Sequence, residues 1–407
     1  MISNLKVALL LVSRSVTRGS KGTLLLTILI IALAFVNMTV MAGLVDGVVA
    51  TIDRQVIDNH VGNIVAEPLA GEQHIRSVAA LEVLIESTPG IVATSPRYIL
   101  GATLVFDPRE DDETERQMSW PIRSIDPAKE QRVTHLHEWM VAGEYLEPLD
   151  HDQIMLGREL SGGYGASIEM QSLQGADVGD EISVFYANGV ERIYTVKGIF
   201  ATRFPLVDIG AFVTQREMEG VLGLHDRASE ILIRTEEPGR EAQFIRSLEQ
   251  RGADTVVLRP WTDYLSFFRG FTDSLIRIVG IISSIGLLVA GITIFIVIYI
   301  NAFTRKRQIG ILKAIGMSEG IITTSYVLQA LFFGIVGVGL GASFMYFAVG
   351  PYFRSNPLDF PIGDVSLVVT GRDLLVNGAG LVVMSIIGGF LPSYRVVKAD
   401  IIEAIWG

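Results

Sequence analysis

Six histidines, His60, His74, His135, His137, His151 and His225, are the chain's candidates for imidazole chemistry. Only His135 and His137, in "HLH", are close-set, and on a strand, where side chains alternate between faces, both rings would share one side. With no H-E-x-x-H or other zinc spacing beside them, they read as packed side chains rather than ligands. The chain has no cysteine, which removes thiolate nucleophiles, thiolate metal sites and disulfides together. It has no G-x-S-x-G elbow to raise a nucleophilic serine. The nearest approach to a phosphate loop, "RGSKGT" around Lys21, lacks the G-x-x-x-x-G-K-[ST] spacing that cradles a nucleotide. The expectation is therefore a chain with no catalytic, cofactor-binding or metal site, and its net charge of −11 argues against nucleic acid as a partner.

Carriers coupled to ions keep ionisable side chains within their membrane spans, because a charge in hydrocarbon is costly and persists only when it serves transport. Four stretches carry no charge: 22–45, 278–304, 320–353 and 374–394. Their polar residues are of the kind of Asn37, Gln329 and Asn377, while Asp273 and Arg277 lie just outside the second stretch. Such spans hold nothing that harvests a gradient. Work done by this protein must be driven from elsewhere.

The one dense cluster of charge beside a span is basic. In "TRKRQIGILKAIGMSEG", residues 304–320, Arg305, Lys306, Arg307 and Lys313 crowd ahead of the uncharged run. Between them Ile309, Ile311, Leu312 and Ile315 spell a short amphipathic helix, which either rests on a membrane surface or enters the groove of a soluble partner.

The elements that must hold this segment follow from composition. The chain of 407 residues is 49% hydrophobic and only 19% charged. Each uncharged stretch can cross a hydrocarbon core of ~30 Å, which needs about 20 helical residues. The first is too long for a signal-peptide core and has no A-x-A cleavage site after it. Lys6, Arg14, Arg18 and Lys21 precede the first span without an acid, and the 305–319 loop is also basic, so both belong on the cytoplasmic side. Residues 46–272 hold 37 acidic against 20 basic side chains and belong outside.

Within that outer segment, "GEQHIRSVAALEVLIESTPG" and "EEPGREAQFIRSLEQRGA" have helical spacing, and "IVATSPRYILGATLVF" and "TVVLRP" read as strands. Asn188-Gly189, between two β-rich runs, signals a hairpin, with the type I′ turn that needs positive φ at both central residues. The class is therefore a membrane protein of four transmembrane α-helices with a large α+β extracytoplasmic domain inserted between spans 1 and 2. The acidic run 107–116 reads as a solvated loop. Residues 1–19 read as an interfacial helix with Leu5, Leu9 and Val12 on its apolar face. Gly337 and Gly341 form a G-x-x-x-G suited to close helix packing, either within the chain or with a second copy.

Residues 305–341 resemble the signature of FtsX-like, MacB-type (type VII) ABC transporter permeases, the group that includes the lipoprotein-release permeases LolC and LolE. In that family a Glu-Ile-Gly-Ile-Leu-Lys-Ala-Leu-Gly motif forms a coupling helix. Here Ile309–Lys313, Ala314 and Gly316 match it, with Gln308 where Glu is usual and Gln329 in place of a Glu in the next span. The C-terminal Pro392, Arg395, Asp400, Glu403 and Ala404 are similar to the family's ending, with Ile401 in place of a usual Pro. "GIVATSPRY" and "IMLGRELSGGYGA…VGDEISV…YTVKGIF" look like its porter and Sabre subdomains.

The resemblance implies a permease of the cytoplasmic (inner) membrane that carries the motion of a partner ABC ATPase to its outer domain, with ATP and Mg bound by that partner and both termini cytoplasmic. The residues it assigns to ATPase docking are Arg305, Arg307, Ile309, Ile311, Leu312, Lys313, Ile315 and Gly316. It implies a second permease chain, identical or related, contact with membrane lipids, and a periplasmic chaperone or adaptor as a further partner. The organisation expected is an interfacial helix at 1–21, spans at 22–45, 275–302, 320–349 and 373–392, and an extracytoplasmic domain at 46–272. Within that domain the porter-like parts are 46–106 and 207–272 and the Sabre-like part is 117–206. A coupling helix at 303–318, an outer loop at 350–372 and a cytoplasmic tail at 393–407 complete it. Release of a lipidated or amphipathic substrate such as a lipoprotein is the first expectation for cargo; drug or peptide efflux, or regulation of a cell-wall hydrolase, are the alternatives.

Overall fold

The computed structural model describes residues 12–13, 21–107, 115–166 and 172–398. Most of the 1–19 helix, residues 108–114 of the acidic run, and Asp400, Ile401, Glu403 and Ala404 lie outside the described residues. The chain divides into two compact units, one made of 1–49, 270–358 and 365–407, the other of 50–269 and 359–364.

Four helical stretches are long and apolar enough to cross a membrane: Lys21–Val61, Arg269–Thr304, Glu319–Ser355 and Gly371–Val397. The helices that build them are α1 (Lys21–Val56), α2 (Ser266–Thr304), α4 (Glu319–Phe344) and α5 (Gly371–Val397); the short α3 (Lys306–Ala314) lies between α2 and α4. A capping box opens α5. The Thr370 hydroxyl accepts the Asp373 N–H at 3.2 Å and the Asp373 carboxylate accepts the Thr370 N–H at 3.1 Å, which satisfies two amides left over at the helix start.

Small residues set how closely the membrane helices approach. A Cβ on Gly337 would lie 2.6 Å from Ile31 Cγ2, and one on Gly341 would lie 2.8 Å from Phe35 Cδ1 and 2.9 Å from the Ala32 carbonyl oxygen. The G-x-x-x-G of α4 thus meets α1 of the same chain, where a larger side chain would part the two backbones. Gly334 against Ser385 and Gly389 against Ala330 bring α4 and α5 together in the same way. On α2, Ile281, Ile285, Leu288 and Ile292 are exposed, as apolar side chains facing lipid should be.

The second unit is α+β. Strands β1 (Ile64–Pro68), β3 (Ile91–Arg97), β12 (Glu230–Thr235) and β13 (Val256–Pro260) form an antiparallel sheet in the order β13-β1-β12-β3, and the short β2 (Ile75–Arg76) and β11 (Arg227–Ala228) pair with each other. Helices Val78–Glu86 and Glu241–Gln250 flank it, and Leu81, Ile85 and Leu248 pack with Ile64, Ile231 and Ile233 in its core. A second sheet contains β4 (Ile99–Phe106), β5 (Arg116–Ile125), β6 (Met140–Gly143), β7 (Gln153–Gly157), β8 (Glu181–Tyr186), β9 (Glu191–Phe200) and β10 (Ala211–Thr214), in the order β6-β9-β7-β10-β5-β4-β8. Because β8 also pairs with β9, six of these strands close on themselves, and β6 is added outside. Closure removes strand edges and encloses Leu104, Ile122, Leu156, Ile182 and Tyr194.

Two readings of the sequence are corrected. The β8–β9 hairpin is present, but only Gly189 has positive φ (+85°), and the Gly189 N–H bonds to the Tyr186 carbonyl at 2.9 Å. This is the pattern of a turn followed by a left-handed glycine, not of a type I′ turn. "HLH" lies on no strand. The segment Leu136–Trp139 is a 3₁₀ helix, because Asp126 caps the preceding helix Pro127–Val133 and the His135 N–H is drawn to the Asp58 carbonyl at 2.7 Å.

Candidate functional site

Helix α3 sorts the residues expected to dock an ATPase onto two faces. Ile309 is 4% exposed and packs with Ile298 of α2, Ile322 and Tyr326 of α4, and Val397 of α5; Leu312 packs against the same cluster. Ile311, two positions after Ile309, and Ile315, three after Leu312, are 50% and 73% exposed, and Arg307 one turn before Ile311 is exposed with them. At 3.6 residues per turn, Arg307, Ile311 and Ile315 form one stripe pointing away from the bundle. Arg305 is half-buried and lines a cavity of about 80 Å³ with Gln308, Tyr326 and Gln329.

Lys313 points inward. Its Nζ donates to the carbonyl of Val397, the last residue of α5, at 2.9 Å and pairs with Glu319 of the first turn of α4 at 2.9 Å. A cation at a helix C-terminus is favoured by the dipole and satisfies a carbonyl that lacks an intrahelical partner. Gly316 ends the segment. With φ at +91° it occupies the left-handed position that glycine adopts without strain, its N–H bonding to the Lys313 carbonyl at 3.0 Å and that of Met317 to Leu312 at 3.0 Å. At the other end no acidic residue occupies the first turn, so the positive pole of the helix adds to Arg305, Lys306 and Arg307.

The assigned residues therefore divide. Arg307, Ile311 and Ile315 form an open face, Gly316 is the exposed stop, and Ile309, Leu312 and Lys313 fasten the helix to the bundle. The same sequence serves both purposes because it is apolar on two sides.

Sequence reasoning missed a second set of residues, in the outer unit. The π turn Ile57–Val61 that prolongs α1 ends among buried charges. Arg97, 1% exposed, bonds to Glu130 Oε1 at 2.5 Å and Oε2 at 3.1 Å, and its Nη1 donates to the His60 carbonyl at 2.9 Å. Ser95 and Thr134 hydroxyls add bonds to the same carboxylate. Burial opposes ionisation of Glu130, but the Arg97 guanidinium and these donors outweigh it and hold the carboxyl below its usual range. Burial, reinforced by Arg123 and Arg97, pushes the His60 imidazole down to about 3, so His60 is neutral. Arg234 pairs with Asp58 at 2.8 Å. A charge at the end of an otherwise uncharged strand, "IVATSPR", was the available signal.

The family model of the MacB-like periplasmic core domain matches residues 24–251, and that of the FtsX-like permease C-terminal domain matches residues 280–401. The chain is 29% identical over 138 residues to the macrolide export ATP-binding/permease protein MacB of Neisseria meningitidis, a match covering 33% of this chain and 20% of that protein. It is 30% identical over 138 residues to the uncharacterized ABC transporter permease YknZ of Bacillus subtilis, covering 33% of this chain and 32% of that one. The matched part thus spans a fifth to a third of these relatives' length. Among solved structures, the periplasmic region of MacB from Actinobacillus actinomycetemcomitans aligns over 53% of this chain and 96% of that one, with a TM-score of 0.36 at 10% identity. The extracellular domain of the YknZ transporter from Gram-positive bacteria aligns over 49% and 97%, with a TM-score of 0.33 at 9% identity. The first family model alone covers more than half of the chain, and the second follows it along the sequence through α3 to the end of α5. With four membrane-length helices and an α+β domain between the first two, the chain belongs to the MacB-type ABC transporter permeases.

Proposed function

We propose that this permease transmits force: a partner ABC ATPase engages the Arg307, Ile311 and Ile315 face of α3 from the cytoplasm, and its ATP-driven closure is passed along α1 and α2 to move the outer domain. The observation that carries this reading is the end of α1. Residues 50–61 continue the first membrane helix and belong to the outer unit, where Gln55 Nε2 donates to the Thr202 carbonyl at 3.1 Å, Asp58 pairs with Arg234, and the His60 carbonyl accepts from Arg97. A helix held at its outer end by bonds to two strands of the first sheet and to the turn after β9 cannot tilt without moving them. The basic start of α3 suits either acidic groups on the ATPase or lipid phosphates beside it. Both termini are then cytoplasmic, ATP and Mg are bound by the partner, and a second permease chain completes a two-ATPase assembly.

For cargo, the acidic outer domain and the absence of ionisable residues within the uncharged spans favour an amphipathic or lipidated substrate, such as a lipoprotein, taken from the outer leaflet and moved mechanically. The MacB relatives, named as macrolide exporters, favour a second reading, export of a drug or peptide. Purification with a partner ABC ATPase, followed by ATP-dependent release of a lipoprotein from liposomes, tests the first. ATP-dependent macrolide efflux without lipoprotein release would replace it with the second. No binding of any ABC ATPase would refute the proposal as a whole.

A further inference from the structure

The outer link between α4 and α5 contains a small hairpin, Leu358–Phe360 with Gly363–Val365, and its residues 359–364 group with the outer unit. Arg203 is what grips it. One guanidinium nitrogen of Arg203 bonds to Asp359, and the other bonds to Asp364 at 3.0 Å. A single planar fork thus closes on both arms of the hairpin. Beneath this pair the fit is tight. Thr51 Oγ1 donates to the Asp364 carbonyl at 3.4 Å, and a Cβ on Gly363, whose φ is +113°, would come within 3.0 Å of Gln55 Nε2. Gln55 in turn donates to the Thr202 carbonyl, next to Arg203.

The arginine is presented by a strained, over-determined turn. Arg203 has φ at +66°, a region that a residue with a Cβ seldom occupies. Buried Asp208 holds it there, accepting the Thr202 N–H at 2.7 Å, the Thr202 hydroxyl at 2.7 Å and the Arg203 N–H at 3.0 Å. An isolated pair between exposed side chains contributes little. A strained backbone fixed by a buried carboxylate so that one arginine reaches two aspartates marks a position where geometry matters more than stability.

We infer that Arg203 is a positioning residue that clasps the 359–364 hairpin to the end of α1 and to the outer domain, making the α4–α5 link a third route for motion beside α1 and α2. The functional half of this inference rests on the force-transmission reading above; the clasp itself does not. With three routes, the motion that reaches the outer domain would be set jointly by α1, α2 and the α4–α5 link rather than by two helices alone.

Hydrogen exchange of the full chain in nanodiscs, without nucleotide, tests the clasp. Arg203→Glu should speed exchange in the 358–366 peptide at least tenfold while leaving β12 and β13 unchanged, and adding Asp359→Arg with Asp364→Arg should restore protection. Unchanged exchange in Arg203→Glu, or failure of the swapped charges to restore it in a variant with wild-type melting, would overturn the clasp. With the partner ATPase and ATP, wild type should show an exchange change in the outer domain that Arg203→Glu reduces at least fivefold and the charge swap recovers. An equal ATP response in Arg203→Glu would overturn the third route and leave force transmission standing. No ATP response in wild type would instead refute force transmission and leave the nucleotide-free result intact.

Discussion

Replacing Ile311 and Ile315 together by glutamine separates the two faces of α3. Full burial of an isoleucine contributes about 1.5–3 kcal/mol. Ile311 is 50% and Ile315 73% exposed, so a partner that covers both would gain about 2–3.5 kcal/mol from the parts still open. That corresponds to ~30- to 300-fold in affinity. Glutamine is a good helix former, and loss of exposed apolar surface should leave the stability of the chain within about 0.5 kcal/mol. Ile309→Ala is the control in the opposite sense. Its side chain is 4% exposed among Ile298, Ile322, Tyr326 and Val397, so truncation should cost about 2–4 kcal/mol of stability. The assay is biolayer interferometry of the ATPase subunit against the chain in nanodiscs, with thermal melting in parallel. ATPase affinity in Ile311→Gln/Ile315→Gln within threefold of wild type would refute the assignment of this face. Leu312→Asp is a poorer probe than the motif alone suggests, because Leu312 packs on the bundle and its loss would confound docking with folding.

Glu130→Gln should destabilise the chain by about 3–5 kcal/mol in thermal or chemical unfolding, because buried Arg97 loses its hydrogen-bonded counter-charge and keeps only Glu230, 3.8 Å away; Arg97→Met with Glu130→Met should lie closer to wild type. A small effect of the single change would mean water or another acid replaces the pair. Gly341→Ile should lower the melting temperature and part α4 from α1, since its Cβ alone meets Phe35 and the Ala32 carbonyl, at a cost of about 1–3 kcal/mol; an unchanged melt would contradict that packing. His60 is neutral in the native chain down to about pH 3, whereas an unfolded imidazole protonates near 6.5, so stability falls as pH drops between these values, by up to about 1.4 kcal/mol per unit. Burial pushes Asp208 up to about 6, so protonation favours the native state and adds stability as pH falls from there toward its ordinary value. Melting curves at successive pH values should therefore show His60→Gln more resistant to acid than wild type and Asp208→Asn less so; identical profiles would contradict both assignments.

The spans, the α+β class and the short basic helix between spans 2 and 3 were legible because each is a local pattern: uncharged runs of membrane length, alternation of strand and helix signals, and one basic cluster. What was not legible was orientation. Ile309, Ile311, Leu312 and Ile315 are equivalent in composition, and only the surrounding α2, α4 and α5 decide that Ile309 and Leu312 turn inward and Ile311 and Ile315 outward. Lys313 looked like a docking cation because its partner, the Val397 carbonyl, lies far along the chain. Arg97 stands out as a charge in its strand, but that Glu130 is its partner is decided only by the fold. Closure of the second sheet through β8 and β9 is likewise non-local. The helix Pro127–Val133 was readable and overlooked: Asp126 followed by Pro127 is a cap and a first-turn proline.

The most direct test uses the chain's lack of cysteine, which allows clean labelling. Fluorophores at Leu149→Cys in the outer domain and Tyr346→Cys at the end of α4, both exposed positions, would report single-molecule FRET in nanodiscs with the ATPase bound. Force transmission predicts a shift in transfer efficiency on ATP binding that reverses on hydrolysis and disappears in Ile311→Gln/Ile315→Gln. An efficiency that stays constant while the bound ATPase turns over ATP would contradict it.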